Sequence, residues 1–357
     1  MGLDCCGKTV YTEVSLIMIW LLIPLALVVF VFAFTYQEYC KVFHVRGRET
    51  TAFYDYFFSQ YPALKVRAFS CLSGKETLAG MQLTYTEKPK ALVVMVHGYG
   101  WDMEHYFPQT EFFTRAGYLV VIFDGMGMGR SSGKNIHGLP QHMLDTAAVL
   151  DYVGADPMLS SLPLLLYGHS WGGYAADAVL CCKPYPVRAI VSVSAYNEPL
   201  AAMAAKLRSQ YGSALSRILI VPPAIFQRMS FGAAAGFSAV SGLGRAECPV
   251  LVAHSREDAV VLFGDNYKKI LEAHQGKPNF RFLALEGSNH NIGIPYAVNE
   301  QRLQLQRELR WTGEQEALRK ELWEAQMMID EDVLTQFAAF FDESLQFSVG
   351  ESKLLPA

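Results

Sequence analysis

The chain has 357 residues, 51% of them hydrophobic and 18% charged, which is enough apolar material for one large domain or two small ones. A formal net charge of −4 leaves no basic face for a nucleic-acid partner. The seven cysteines are odd in number and show no CxxC spacing, so neither a disulfide framework nor a zinc site is encoded.

From Val14 to Tyr36 no charged residue occurs, and nearly every side chain is Leu, Ile, Val, Phe, Met or Trp. About 20 such residues cross a hydrocarbon core of roughly 30 Å. The run is too long for the apolar region of a cleaved signal peptide, and the segment 1–13 before it is barely basic. Residues 14–36 therefore read as a retained single-pass transmembrane anchor. Lys41, Arg46 and Arg48 follow it, so the positive-inside rule puts the large domain in the cytosol. Gly2 with Cys5 and Cys6 looks like a lipidation start, but Cys6 stands where the myristoylation pattern wants Ser or Thr. Pro24 predicts a kink inside the segment.

Residues 37–90 read as a linker that leads into a first, antiparallel part of a sheet. Apolar, β-rich runs then occur at Ala91–Val96, Leu119–Phe123, Pro163–Tyr167, Arg188–Val193, Pro249–Ala253 and Phe280–Leu285. Helical patterns such as Gln141–Val153 separate them. Continuous apolar strands alternating with helices predict an α/β fold, a mostly parallel sheet covered on both faces. The core is divided into residues 91–195 and 249–357 by an Ala-, Leu- and Phe-rich insert at 196–248, too long and apolar for a loop. The insert reads as a helical lid over the carboxyl ends of the strands. Between Pro199 and Ala246 it has no acid but carries Lys206, Arg208, Arg217, Arg228 and Arg245, a set that fits either an ordinary buried helical pair with solvated basic tips or a lid that rests on an anionic membrane surface or admits an anionic lipid. After His290 a charged stretch puts Leu318, Leu322, Ala325 and Ile329 on one helical face, with Glu316 able to pair with Lys320. A closing helix is expected over Val333–Leu345.

The chemistry centres on Gly168-His169-Ser170-Trp171-Gly172. A strand precedes it and a small-residue helix follows, the context of a nucleophile elbow. Ser170 then needs a base and an acid behind that base. The strand Pro249–Ala253 leads into Asp258, preferred over Glu257 as the acid. Phe280–Leu285 leads into His290 on a Gly/Ser/Asn turn, preferred over His254 and His274 as the base. The oxyanion needs preorganised N–H donors. Trp171 supplies one from its backbone, and the loop His97-Gly98-Tyr99-Gly100 supplies the other through Tyr99. Gly125-Met126-Gly127-Met128-Gly129 lacks the full dinucleotide spacing, and the His97–Asp102 spacing is read as coincidence.

Together these residues resemble the α/β-hydrolase superfamily, and within it the serine-aminopeptidase-like branch that contains monoacylglycerol lipases and lysophospholipases. The resemblance runs from about Ala91 to the C-terminal helix through His97-Gly98, the loop Asp124–Ser131, the Ser170 elbow, Asp258 and His290. Trp101 departs from it, standing where the branch usually has a small or acidic residue. The resemblance implies a serine triad and acyl-enzyme chemistry without cofactor or metal. Anchor and lid point to a lipid ester as substrate, a monoacylglycerol or lysophospholipid. An aminopeptidase is disfavoured by the absence of lid acids to hold a substrate ammonium, and a catalytically silent scaffold by the presence of all three triad residues.

Overall fold

The computed structural model describes residues 6–46, 51–312 and 315–346. Gly2 and Cys5 lie outside the described residues. Eight strands form one sheet: β1 (Lys65–Ser73), β2 (Glu76–Thr84), β3 (Leu92–Val96), β4 (Leu119–Phe123), β5 (Leu164–His169), β6 (Val187–Val193), β7 (Val250–Ser255) and β8 (Phe280–Leu285). Their order is β1-β2-β4-β3-β5-β6-β7-β8, with β2 antiparallel to both neighbours and every pair from β4 to β8 parallel.

β3 and β4 are buried at every position because both faces of the sheet are covered. The pleat sends alternate residues of β3 to opposite sides. Leu92, Val94 and Val96 join a core with α4 (Pro140–Ala155) and α5 (Trp171–Ala178). Val93 and Met95 join a second core with α2 (Thr51–Gln60), α3 (Phe107–Arg115) and α12 (Glu331–Gln346).

The segment 37–90 does lead into an antiparallel pair, β1 and β2, but residues 37–43 and 51–60 within it are helical. α1 (Cys6–Phe43) runs on beyond the apolar segment and past Pro24, and α2 follows. The reason is a new periodicity: Thr35, Tyr39 and Phe43 recur every four residues, and all three are buried against the domain. Residues 18–30 are exposed along their whole length, and Met18–Phe43 is long and apolar enough to cross a membrane.

Between β6 and β7 the chain forms α6 (Ala201–Leu219), α7 (Val221–Phe231) and the short α8 (Ala239–Leu243). Gly212 interrupts α6 at a φ of 75°, and Pro222 and Pro223 restart the helix in α7. Phe226 of α7 packs edge-on against Tyr36 of α1 at 5.0 Å, and Tyr211 of α6 against Phe34 at 5.9 Å. The lid cations are mostly engaged by the protein itself. Lys206 pairs with Glu38 of α1 at 3.0 Å, Arg208 with Asp265, Arg228 with the Gly232 carbonyl at 2.8 Å, and Arg245 with the Cys181 carbonyl at 3.0 Å. These contacts favour the structural reading of the set, since Lys206, Arg208 and Arg245 link elements of the fold.

Past β7 come α9 (Tyr267–His274), α10 (Tyr296–Thr312) and α11 (Glu316–Met327). On α11, Lys320 pairs with Glu324 at 3.8 Å, one turn onward, rather than with Glu316.

Asp177 of α5 is fully buried. Its carboxyl accepts a hydrogen bond from Ser192 at 2.7 Å while its other oxygen has no partner. Burial holds its pKa well above the carboxylate range. The folded state then binds a proton that the unfolded state releases above pH ~4. Stability is full below that pH and is lost as pH rises toward the folded-state pKa. Asp177→Asn is expected to gain on the wild type above that pH, by up to about 1.4 kcal/mol per pH unit. Melting curves of both proteins across pH test this; parallel curves would show that the carboxyl is ionised in the fold.

Candidate active site

The elbow joins β5 to α5. Ser170 sits between them at φ 60° and ψ −116°, a conformation rare outside glycine, and its N–H is held by the Val193 carbonyl at 2.8 Å. The turn is this tight because strand and helix nearly touch. A Cβ on Gly168 would lie 2.3 Å from the Gly172 carbonyl oxygen, and one on Gly172 would lie 2.0 Å from that of Val96.

His290, on the loop after β8, has Nε2 at 2.9 Å from Ser170 Oγ and Nδ1 at 2.8 Å from Asp258 Oδ2. The Nδ1–H donates to the carboxylate, which leaves Nε2 to accept the serine hydroxyl proton. Asp258 lies after β7, and its other oxygen accepts the N–H groups of Val260 and Val261, both at 2.8 Å. Burial alone would raise the Asp258 pKa, but hydrogen bonds from His254 and His290 outweigh it and hold the carboxyl well below its usual range.

The competing residues sit elsewhere. His254 lies behind the acid, its Nε2 at 3.3 Å from Asp258 Oδ2 and 2.8 Å from the Val261 carbonyl. His274, on α9, is bonded to the Val240 carbonyl. Glu257 is paired with the Ser255 hydroxyl at 3.2 Å.

Among the described residues, the backbone N–H groups of Tyr99 and Trp171 have no acceptor. Gly98 packs against the elbow so closely that a Cβ there would lie 3.3 Å from the Ser170 Cβ. The Trp171 indole is buried, stacked on His142 at 4.2 Å and bonded to the Leu139 carbonyl at 2.8 Å. The Tyr99 hydroxyl donates to the Val42 carbonyl of α1 at 2.5 Å. The loop after β3 is thereby fastened to the end of the apolar helix.

A relay that the sequence did not reveal links these pieces. The Gly98 N–H donates to the Tyr106 hydroxyl at 2.8 Å, that hydroxyl donates to His169 Nδ1 at 2.7 Å, and His169 Nε2–H donates to the His290 carbonyl at 3.0 Å. Burial, with His290 adding to it, pushes the His169 pKa down to about 3, so the imidazole stays neutral and holds this tautomer. Only the position of His169 beside the elbow signalled it.

The two remaining motifs are structural. His97 is buried; its Nδ1 bonds the Gly98 carbonyl at 2.8 Å and its Nε2 accepts the Gly125 N–H at 3.0 Å. Asp102 accepts the Glu104 N–H at 3.1 Å and contacts His105 at 2.7 Å. The glycine run at 125–129 wraps the Asp124 carboxyl, which takes the N–H groups of Met103 and Arg130, both at 2.8 Å. Among the described residues no group of three or more His, Cys, Asp or Glu side chains is arranged to hold a metal.

Comparison with known proteins bears on the fold that carries these residues. The family described as serine aminopeptidase, S33, matches residues 87–230. A monoacylglycerol lipase of Mycolicibacterium smegmatis is 34% identical over 87 residues, which are 24% of this chain and 30% of the lipase. An uncharacterized abhydrolase domain-containing protein of Dictyostelium discoideum is 36% identical over 106 residues, 29% of this chain and 11% of that protein. The matches thus span less than a third of these relatives. Among solved structures, a Pyrococcus furiosus esterase superposes with a TM-score of 0.55 at 16% identity, covering 85% of this chain and 98% of the esterase. The strand order, the matched family and the shared fold lead to one conclusion: the chain has the α/β-hydrolase fold.

Proposed function

We propose that this chain is a membrane-anchored serine hydrolase that cleaves acyl esters of lipids, a monoacylglycerol or a lysophospholipid. The observation that carries the reading is the continuous line from Ser170 Oγ through His290 to Asp258, at 2.9 and 2.8 Å. Ser170 attacks the ester carbonyl as His290 Nε2 takes its proton. The oxyanion is stabilised by the N–H groups of Tyr99 and Trp171, the latter opening α5. His290 returns the proton to the departing alcohol. Water, activated in turn by His290, hydrolyses the acyl-enzyme and releases the fatty acid. Asp258 steadies the imidazolium in both halves.

The membrane part of the reading is supported by α1. A cleaved leader would be lost to the mature protein, yet Thr35, Glu38, Tyr39 and Phe43 are buried in the domain. The exposed Leu215, Ile218, Val221, Ile225 and Met229 give the lid helices an apolar surface beside that helix. Lys41 and Arg46 on the domain side favour a cytosolic catalytic domain. The aminopeptidase alternative loses support here. Glu198 and Asp265 line a cavity of about 140 Å³ under the lid, but Lys269 and Arg208 already hold them.

A fluorophosphonate probe applied to membranes carrying the wild type or Ser170→Ala tests the chemistry. Labelling of the wild type alone is expected, followed by turnover of long-chain monoacyl esters. Labelling of neither protein would sink the activated-serine reading, and turnover of short soluble esters alone would sink its lipid part.

A further inference from the structure

Among the described lysines and arginines, Arg302 of α10 is the one that is buried, with 4% of its surface exposed. It has no hydrogen bond or ion pair with any described residue. The buried carboxylates of the site are engaged by other residues: Asp102 by His105, Glu104 by Arg130 at 3.1 Å, and Asp258 by His290. What the guanidinium does have is the face of Trp101 at 5.5 Å. Removing a cation from water costs more than an indole face returns. Burial pulls the arginine pKa down to about 10, so the group is still charged at neutral pH and lacks a counter-charge.

Two chains of contact connect Arg302 to the loop that carries His290. Trp101 belongs to the loop after β3, and its ring lies 6.2 Å from that of His169, which in turn lies 5.0 Å from that of His290. On α10 itself, Asn299 is three residues before Arg302 and so on the same face. The Asn299 side chain accepts from Asn291 at 2.7 Å, and Asn291 adjoins His290.

We infer that Arg302, backed by Trp101 and flanked by Asn299, is an anion subsite that receives a phosphate or carboxylate carried on the alcohol portion of the ester. The inference rests on the serine-hydrolase reading and narrows its substrate class. An ester whose leaving group carries an oxyanion would complete the charge, and the planar guanidinium suits two-point contact with such a group. It also accounts for Trp101: a bulky aromatic there gives the arginine a face to lie on.

The test uses full-length protein carrying Ser170→Ala in a neutral detergent, so that ligands bind without turnover. Affinities are measured for 1-oleoyl lysophosphatidate and for monooleoylglycerol. The lysophosphatidate should bind more tightly, and Arg302→Met should lower the ratio of the two affinities at least 30-fold. An unchanged ratio would overturn the inference, as would inorganic phosphate displacing lysophosphatidate at equal concentration. Should Arg302→Met fail to fold, the melting point of the unmodified chain gives the same answer: a larger rise with lysophosphatidate than with monooleoylglycerol supports the site, and equal rises overturn it. Should Arg302→Met lower the ratio as expected while the wild type cleaves no ester, the anion site would stand and the hydrolase reading would fall.

Discussion

Ser170→Gly and Ser170→Ala are expected to lose ester turnover alike, on the order of 10⁵-fold, yet to differ in stability. The nucleophile sits at φ 60° and ψ −116°. A side chain held in so sparsely populated a region costs about 1–3 kcal/mol. Alanine keeps that strain, whereas glycine relieves it and gives back about 0.5–1 kcal/mol in unfolded-state entropy. Both variants lose the same hydrogen bond to His290, so their difference isolates the backbone term. Ser170→Gly should be the more stable by about 1 kcal/mol, a shift of roughly 2 °C in melting point for a chain of this size. Coincident melting curves would mean that the elbow stores no strain at this residue. The expected outcome would identify the elbow as a place where stability is given up to present an oxygen above the sheet.

The elbow was legible in the sequence because its cause is local. Close contact between strand and helix needs glycine at 168 and 172, and such a demand leaves its mark within five residues. The parallel strands were legible for a similar reason: burial on both faces removes all polar residues from runs such as Leu92–Val96. Chain order then led to Asp258 and His290, each on the loop after an apolar run.

What the sequence did not disclose depends on contacts between distant segments. The relay from Gly98 through Tyr106 and His169 to the His290 carbonyl joins residues up to 192 positions apart, and no spacing announces it. The lid charges left two readings open for the same reason. As a list they form a basic surface; in the fold Lys206 reaches Glu38 and Arg245 reaches the carbonyl of Cys181. Arg302 was invisible because its signal is a missing partner. In the 37–90 segment the antiparallel strands were expected and the helices before them were missed, because the end of the apolar run was taken as the end of the helix. The Thr35–Tyr39–Phe43 face obeys a different rule, burial against protein rather than lipid.

That last feature carries the second large effect. Removing residues 1–30 takes away only side chains exposed to the surroundings over residues 18–30 and leaves the buried end of α1 in place. Removing residues 1–46 strips Tyr39 and Phe43 from the core, each contributing about 1.5–3 kcal/mol by burial. It also removes Arg46, which bonds the carbonyls of Gly129, Ser131 and Gly133, and the Val42 carbonyl that holds Tyr99. The shorter deletion should hydrolyse a soluble ester such as p-nitrophenyl butyrate at close to the full-length kcat, with a melting point little changed. The longer one should melt far lower and turn over that ester at least tenfold more slowly. Two point variants separate the contributions. Phe43→Ala should cost about 3–5 kcal/mol of stability, the toll of a large buried cavity. Tyr99→Phe should keep the fold and lower kcat about fivefold at nearly constant KM, as expected for one hydrogen bond of about 1 kcal/mol felt where the oxyanion forms. Equal turnover by the two deletions would reduce α1 to a tether. The expected difference would make its inner end a wall of the candidate site, so that the apolar helix also sets the geometry of the loop that carries Tyr99.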